Sequence, residues 1–122
     1  MISTQILNDM RTNPRNLNLA AQELVLQKKW TKEVLFGLRN NMTHNLNFKI
    51  EIVLRGGDQI LTEDNFVYDQ EQQIISPNEK QVLSFNVASE SDAGTSLFDL
   101  MIINMDDQSI YDSRLFFVKV VE

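Results

Sequence analysis

The sequence predicts an all-β sandwich, and three features carry this prediction. From about residue 32 to the end of the chain, short segments alternate apolar and polar side chains, which is the period of a half-buried strand. Clusters of Gly, Pro, Asn and Asp separate these segments at sandwich-like spacing. The last segment, residues 114–121, has apolar side chains on both faces. Counting the segments gives about seven to eight strands.

The composition agrees with one folded domain. A chain of 122 residues can bury roughly two-thirds of its unfolded surface, and it is too short for a second unit. With 43% hydrophobic and 23% charged residues, the chain is not expected to be disordered. A net charge of −6 opposes binding to nucleic acid or to an anionic membrane, because both need a basic surface. The absence of cysteine excludes disulfides and thiolate chemistry.

The amino-terminal segment has a different composition from the rest of the chain. Residues 1–20 are rich in Asn and Thr and carry only widely spaced apolar side chains, so we expect a lead-in or stalk there and the sandwich over residues 21–122. No stretch approaches the roughly 20 apolar residues that cross a bilayer, and the start lacks the pattern of a signal peptide. These features predict a soluble domain, which a helix outside this chain could tether to a membrane.

The first half of the sandwich is expected to contain three strands. Residues 23–27 and 31–38 alternate, and the second of these segments is followed by turn-forming asparagines at residues 40–41. Residues 46–55 form the cleanest period-2 segment of the chain. The glycines at residues 56–57 can supply the positive φ angles of a tight turn, and we expect them to end this strand.

The second half begins with weaker signals. Short charged segments of the kind that protects sheet edges are expected at residues 60–61, 66–68 and 73–75. A proline turn at residues 76–79 leads into a strand over residues 81–87, with Leu83, Phe85 and Val87 inward. Residues 97–103 are apolar on both faces after Asp99, which predicts a strand that is central in its sheet or covered.

The terminal strand is the candidate partner-binding site. One of its faces carries Leu115, Phe117 and Val121, and the other carries Phe116, Val118 and Val120. One face must belong to the core, and the other is either covered by the amino-terminal segment or left as an apolar patch. Exposed apolar patches mark association surfaces, so the six residues together predict homo- or hetero-oligomerisation with a protein partner.

The sequence carries no pattern typical of a catalytic site. His44 is the only histidine, and no nucleophile motif accompanies it. A tetrahedral zinc site would need several His or Cys ligands. We therefore expect a noncatalytic protein with no catalytic residues, no cofactor and no bound metal.

A ligand-binding module is the alternative function. Its candidate calcium ligands are acidic residues of one irregular region, namely Asp58, Glu63, Asp64, Asp69 and Glu71, although no stretch matches an EF-hand loop. The other interpretation of this region is a solvated acidic surface. Three aromatic residues that could stack on a carbohydrate or pack at a rim are Trp30, Tyr68 and Tyr111. Separately, Asn41-Met42-Thr43 fits the acceptor pattern for N-glycosylation.

Two parts of the chain resemble known surface proteins. Residues 34–41 leading into 46–52, together with residues 75–80 leading into 83–87, resemble the strand pattern of immunoglobulin-like surface modules. In that pattern an asparagine turn links two early strands, and a proline turn precedes a later one. The closing segment, with residues 111–113 before 116–120, is similar to the final hairpin of the soluble domains of archaeal pilin-like and archaellum stator proteins.

The resemblance implies an immunoglobulin-like β-sandwich that works as a static anchor. It would be a structural, noncatalytic component of a cell-surface filament or envelope assembly, extracytoplasmic and bound to other subunits of that assembly. The alternative that the residues leave open is a cytoplasmic adaptor. The family pattern is structural, so it transfers no individual binding residue to this chain.

Overall fold

The computed structural model describes residues 16–122. Within that range the chain forms nine strands and a single 3₁₀ turn at Glu63–Asn65. The strands, numbered in chain order, are β1 Leu17–Leu19, β2 Glu23–Gln27, β3 Thr31–Arg39, β4 Leu46–Gly57, β5 Phe66–Val67, β6 Gln73–Ile75, β7 Lys80–Ala88, β8 Gly94–Asn104 and β9 Ser109–Val121. No helix in this range is long and apolar enough to span a membrane.

The strands form two sheets that enclose one core. The four-stranded sheet has the order β1-β3-β7-β5, and the five-stranded sheet has the order β2-β9-β8-β4-β6. Neighbouring strands are antiparallel except β2 and β9, which run parallel. The first strand of the sandwich is thus divided between the sheets, since β1 pairs with β3 and β2 pairs with β9. The predicted immunoglobulin-like β-sandwich is confirmed.

Phenylalanine rings fill the centre of the sandwich. Five of them are almost fully buried, contributed by β3, β4, β7, β8 and β9: Phe36, Phe48, Phe85, Phe98 and Phe116. A sixth ring, Phe66 of β5, meets Phe98 edge-on with centroids 4.6 Å apart. Because the rings come from both sheets, each aromatic contact ties strands that are distant in sequence.

The glycines at the end of β4 do not form the expected turn. The strand continues through Gly57, with a register shift against β8 between Leu54 and Gly56 that marks a β-bulge. Gly57 has a φ of +86°, and a Cβ atom there would lie 2.4 Å from the carbonyl oxygen of Thr95. The prediction of a tight turn is wrong because a positive φ serves a bulge as well as a turn.

The predicted edge strands are only partly present. The segments at residues 66–68 and 73–75 supply β5 and β6, which are the edge strands beside β7 and β4 in their respective sheets. Residues 60–61 form no strand, and Leu61 is instead buried in the core. The segment at residues 97–103 lies within β8, and β8 is flanked by β9 and β4, as its two apolar faces predicted.

The sandwich begins before residue 21. Residues 17–19, which we expected in the lead-in, form β1 and pair with β3. The opposite sheet holds the β1 backbone through Leu17, whose N–H donates to Asp112 Oδ2 at 3.0 Å and whose carbonyl accepts from Arg114 Nε at 2.9 Å. The first 15 residues of the predicted lead-in lie outside the described residues.

Candidate functional site

The alternation along β9 separates its six candidate residues. Phe116, Val118 and Val120 are at most 2% exposed and belong to the core. Leu115 and Phe117 point to the outer face of the five-stranded sheet and are 53% and 44% exposed, and Val121 on the same side is half-buried. The three core residues are therefore removed from the predicted partner-binding set, because side chains inside the sandwich cannot reach a partner.

Neighbouring strands extend the exposed part of β9 into an apolar patch. On one side β8 places Leu97 directly opposite Phe117, and on the other side β2 contributes Val25, which is 46% exposed. We define the apolar patch as Val25, Leu97, Leu115 and Phe117. A shallow concavity of about 510 Å³ lies at the patch and is partly lined by Leu97, Leu115 and Phe117.

Opposite charges balance on the outer face around the apolar patch. Three acidic and three basic side chains lie there, namely Glu23, Glu51, Asp99, Lys49, Arg55 and Lys119. Arg55 Nη2 lies 3.3 Å from Asp99 Oδ2 and 3.5 Å from the Met101 sulfur, so the arginine covers the middle of the face. The net charge of −6 is therefore carried by the rest of the chain.

Glu63 and Asp58, two of the acidic residues considered for calcium, accept hydrogen bonds from the backbone. Glu63 Oε2 accepts from the Leu54 N–H at 2.9 Å, which is the main cause that lowers the pKa of Glu63. Asp58 Oδ2 accepts from the Thr95 N–H at 2.8 Å and closes the end of the bulged strand. Within residues 16–122, no three His, Asp or Glu side chains come together as a metal site would require.

Two of the three candidate aromatic residues have their hydroxyl groups tied to the backbone. The Tyr111 hydroxyl lies 2.9 Å from the Arg39 carbonyl oxygen and accepts from the Asn41 N–H at 3.0 Å, and burial raises the pKa of Tyr111. The Tyr68 hydroxyl accepts from the Ile52 N–H at 3.3 Å. Trp30, in the turn between β2 and β3, is half exposed. These three residues lie in separate elements of the fold.

Asn40 has a structural role that its sequence context did not reveal. Its side chain is completely buried, and its amide nitrogen donates to the carbonyls of His44 at 2.8 Å and Ile75 at 3.0 Å. Its amide oxygen accepts from the Met42 N–H at 2.8 Å. Asn40 thereby holds the loop that contains His44 against β6, while the His44 side chain remains in solvent.

Comparison with known proteins identifies the fold. The sequence matches no protein-family model and no curated protein. The structure is similar to part of a family 123 glycoside hydrolase from Clostridium perfringens, with a TM-score of 0.67, 8% identity and coverage of 82% of this chain and 23% of that one. It is also similar to part of E. coli alpha-2-macroglobulin, with a TM-score of 0.59, 12% identity and coverage of 86% of this chain and 6% of that one.

A FixG-related protein from Vibrio parahaemolyticus has a TM-score of 0.51 at 6% identity, with coverage of 77% of this chain and 80% of that one. The chain thus spans less than a quarter of the hydrolase and a small part of the macroglobulin, but most of the FixG-related chain. At such low identities the likeness shows the fold alone, because the same sandwich serves many unrelated functions.

Proposed function

We propose that this chain is a noncatalytic structural module that associates with a second copy of itself through the outer face of its five-stranded sheet. The observation that carries this proposal is the exposure of Leu115 and Phe117 beside Val25, on a continuous sheet surface. Singly exposed apolar residues are common on proteins, whereas neighbouring ones on adjacent strands mark an association surface.

The size of the outer face is compatible with a modest interface. Five strands spaced about 4.8 Å apart, with a mean length of about 27 Å, give a face of roughly 600–700 Å². A standard interface buries about 800 Å² per partner. Burying the exposed halves of these three apolar side chains contributes about 3 kcal/mol from each copy before the cost of association, so we expect weak self-association.

The charge distribution also favours pairing of like faces. Two molecules that each carry a net charge of −6 repel each other, but the outer face itself carries equal numbers of acidic and basic side chains. A twofold contact can place Lys119 of one copy near Glu23 or Asp99 of the other. The repulsion then comes from the distant acidic loops, where salt screens it.

The wider setting stays a prediction from the resemblance. As a component of a cell-surface filament or envelope assembly, an archaellum stator in particular, the chain would use the same face to contact neighbouring subunits. For the ligand-binding alternative, no three His, Asp or Glu side chains come together within residues 16–122 as a calcium site would require.

Sedimentation equilibrium of the intact chain tests self-association. We expect the weight-average mass to rise with concentration from 14.1 kDa toward twice that value, and to rise more steeply with added salt. Phe117→Glu should hold the chain at 14.1 kDa, because burying an unpaired carboxylate in an interface is costly. Val67→Glu, at an exposed apolar position of the other sheet, is the matched control and should behave as the unmodified chain. A monomer at all concentrations and salt levels would contradict the proposal.

A further inference from the structure

The edge of β7 is covered by a neighbouring strand over only a small part of its length. On one side β7 pairs with β3 at every position from Lys80 to Ala88. On the other side β5 pairs only with Val87 and Asn86 before the chain turns away. Among the described residues, no strand lies beside the stretch 80–85 on that side, so the four-stranded sheet has an open edge there.

The hydrogen bonds at both ends of β7 show which backbone groups face the open edge. Ser89 N–H donates to the Trp30 carbonyl at 2.7 Å, and the Asn40 N–H donates to the Glu79 carbonyl at 3.0 Å. Odd-numbered positions of this segment therefore bond toward β3. In an antiparallel ladder the bonding direction alternates, so even-numbered positions bond away from β3.

The groups that remain open belong to the even-numbered residues of the stretch 80–85, namely Lys80, Val82 and Ser84. Ala88, an even-numbered residue, confirms the direction because its carbonyl accepts from Asn65 Nδ2 at 2.9 Å on the β5 side. Asn86 is paired with β5. Lys80, Val82 and Ser84 have the same parity, and each presents an N–H and a C=O at an edge where no strand of residues 16–122 pairs with them.

A groove accompanies this edge. Its volume is about 460 Å³, and its lining includes Ile50 from the five-stranded sheet, Tyr68 from the loop after β5 and the partly buried Leu83 from β7. Leu35 and Val82 line it as well, on the outer side of the four-stranded sheet. The groove therefore offers apolar contacts on both sides of a strand laid along β7, as alternate side chains of an added strand require.

We propose that this groove binds an extended segment of another protein, which adds to the sheet as a strand along β7. The segment would lie beside β7 in line with β5, antiparallel to β7. Its backbone would form hydrogen bonds with Val82 and Ser84. The open stretch of β7 accommodates about five to six residues of an added strand. The segment would carry apolar residues at alternate positions.

Charge further defines the added segment. Asp69 is the charged residue in the lining of the groove, and it is exposed where the chain leaves β5. One of its oxygens accepts from the Glu71 N–H at 2.9 Å, which leaves the carboxylate charge available to a partner. A Lys or Arg near the end of the added segment would pair with it. The surface is separate from the apolar patch, so this proposal does not depend on self-association through β9.

Selection from a random heptapeptide library on the immobilised chain tests the proposal, with Val82→Pro as the counter-target. Proline removes the outward N–H at an edge position, where strands tolerate it. We expect enrichment of peptides with alternating apolar residues and one basic residue.

Methylating the backbone nitrogens of a selected peptide that face β7 should weaken binding about tenfold or more, and methylating the alternate nitrogens should not. Amide exchange at Val82 and Ser84 should slow when the selected peptide binds.

Asp69→Lys provides a second variant that leaves the backbone of β7 unchanged. It should remove the preference for a basic residue while the alternating pattern persists, even if the proline variant unfolds. Peptides that bind Val82→Pro equally, or that bind without slowing exchange at Val82 and Ser84, would overturn the proposal. No enrichment of any peptide would also overturn it. A dimer that Val82→Pro dissociates and Phe117→Glu does not would show instead that two β7 edges pair with each other.

Discussion

Replacing Asn40 by alanine should destabilise the fold more than any other single polar change in its loop. The substitution removes three side-chain hydrogen bonds, each contributing about 1 kcal/mol. The Ile75 carbonyl would be left buried without this donor, whereas the Met42 N–H and the His44 carbonyl lie nearer the surface and can bind water. We expect a loss of about 3 kcal/mol in the free energy of unfolding, which is roughly 12–24 °C in Tm for a domain of about 100 residues.

Urea denaturation followed by far-ultraviolet circular dichroism measures this loss. The slope of the free energy against urea should stay constant, because the change does not alter the surface that unfolding exposes. Asn45→Ala is the matched control, since Asn45 lies exposed in the same loop, and we expect less than about 0.5 kcal/mol there. A loss at Asn40 as small as that at Asn45 would refute the reasoning that the buried amide fastens this loop.

Three further changes test other parts of the fold. Gly57→Ala should lower Tm by several degrees, because its φ of +86° strains a side chain and its Cβ would collide with the β8 backbone; an unchanged Tm would show that the bulge is not as described. Phe116→Ala should cost about 3–5 kcal/mol in urea denaturation and Phe117→Ala about 1 kcal/mol or less; equal costs would contradict the face assignment of β9. The lowered pKa of Glu63 predicts a stabilising contribution that is present above pH 4.5 and is lost as the pH falls through the folded-state pKa. Acidification should therefore lower the Tm of Glu63→Gln less than it lowers the Tm of the unmodified chain. Identical profiles of Tm against pH for the two proteins would exclude this contribution.

The long strands could be predicted from the sequence because their alternation is local. The period of two in residues 46–55 identifies β4 whatever lies around it. By contrast, β1 has only three residues, and it is a strand because the backbone of β3 and two side chains of β9 hold it. Bonds that join residues about 95 positions apart leave no pattern in the neighbouring sequence.

The candidate site was predictable only in part, for the same reason. Both faces of β9 are apolar, so its pattern identified a candidate association strand without showing that Phe117 points outward and Phe116 inward. That choice is made by the opposite sheet, whose Phe85 ring lies 5.6 Å from Phe116. The open edge of β7 depends on where β5 stops, and β5 has only two residues. Asn40 looked like an ordinary turn residue because its acceptor on β6 lies 35 positions away.

Nuclear magnetic resonance on a mixture of isotope-labelled and unlabelled copies tests the central claim most directly. Isotope-filtered spectra record only contacts between different copies, so they report the interface without a mutation. If the outer face of the five-stranded sheet is the self-association surface, contacts between copies will join the methyl groups of Leu97, Leu115 and Val25 to the Phe117 ring. Absence of such contacts at concentrations where sedimentation shows a dimer, or contacts at Val67 and Val82 instead, would contradict the account.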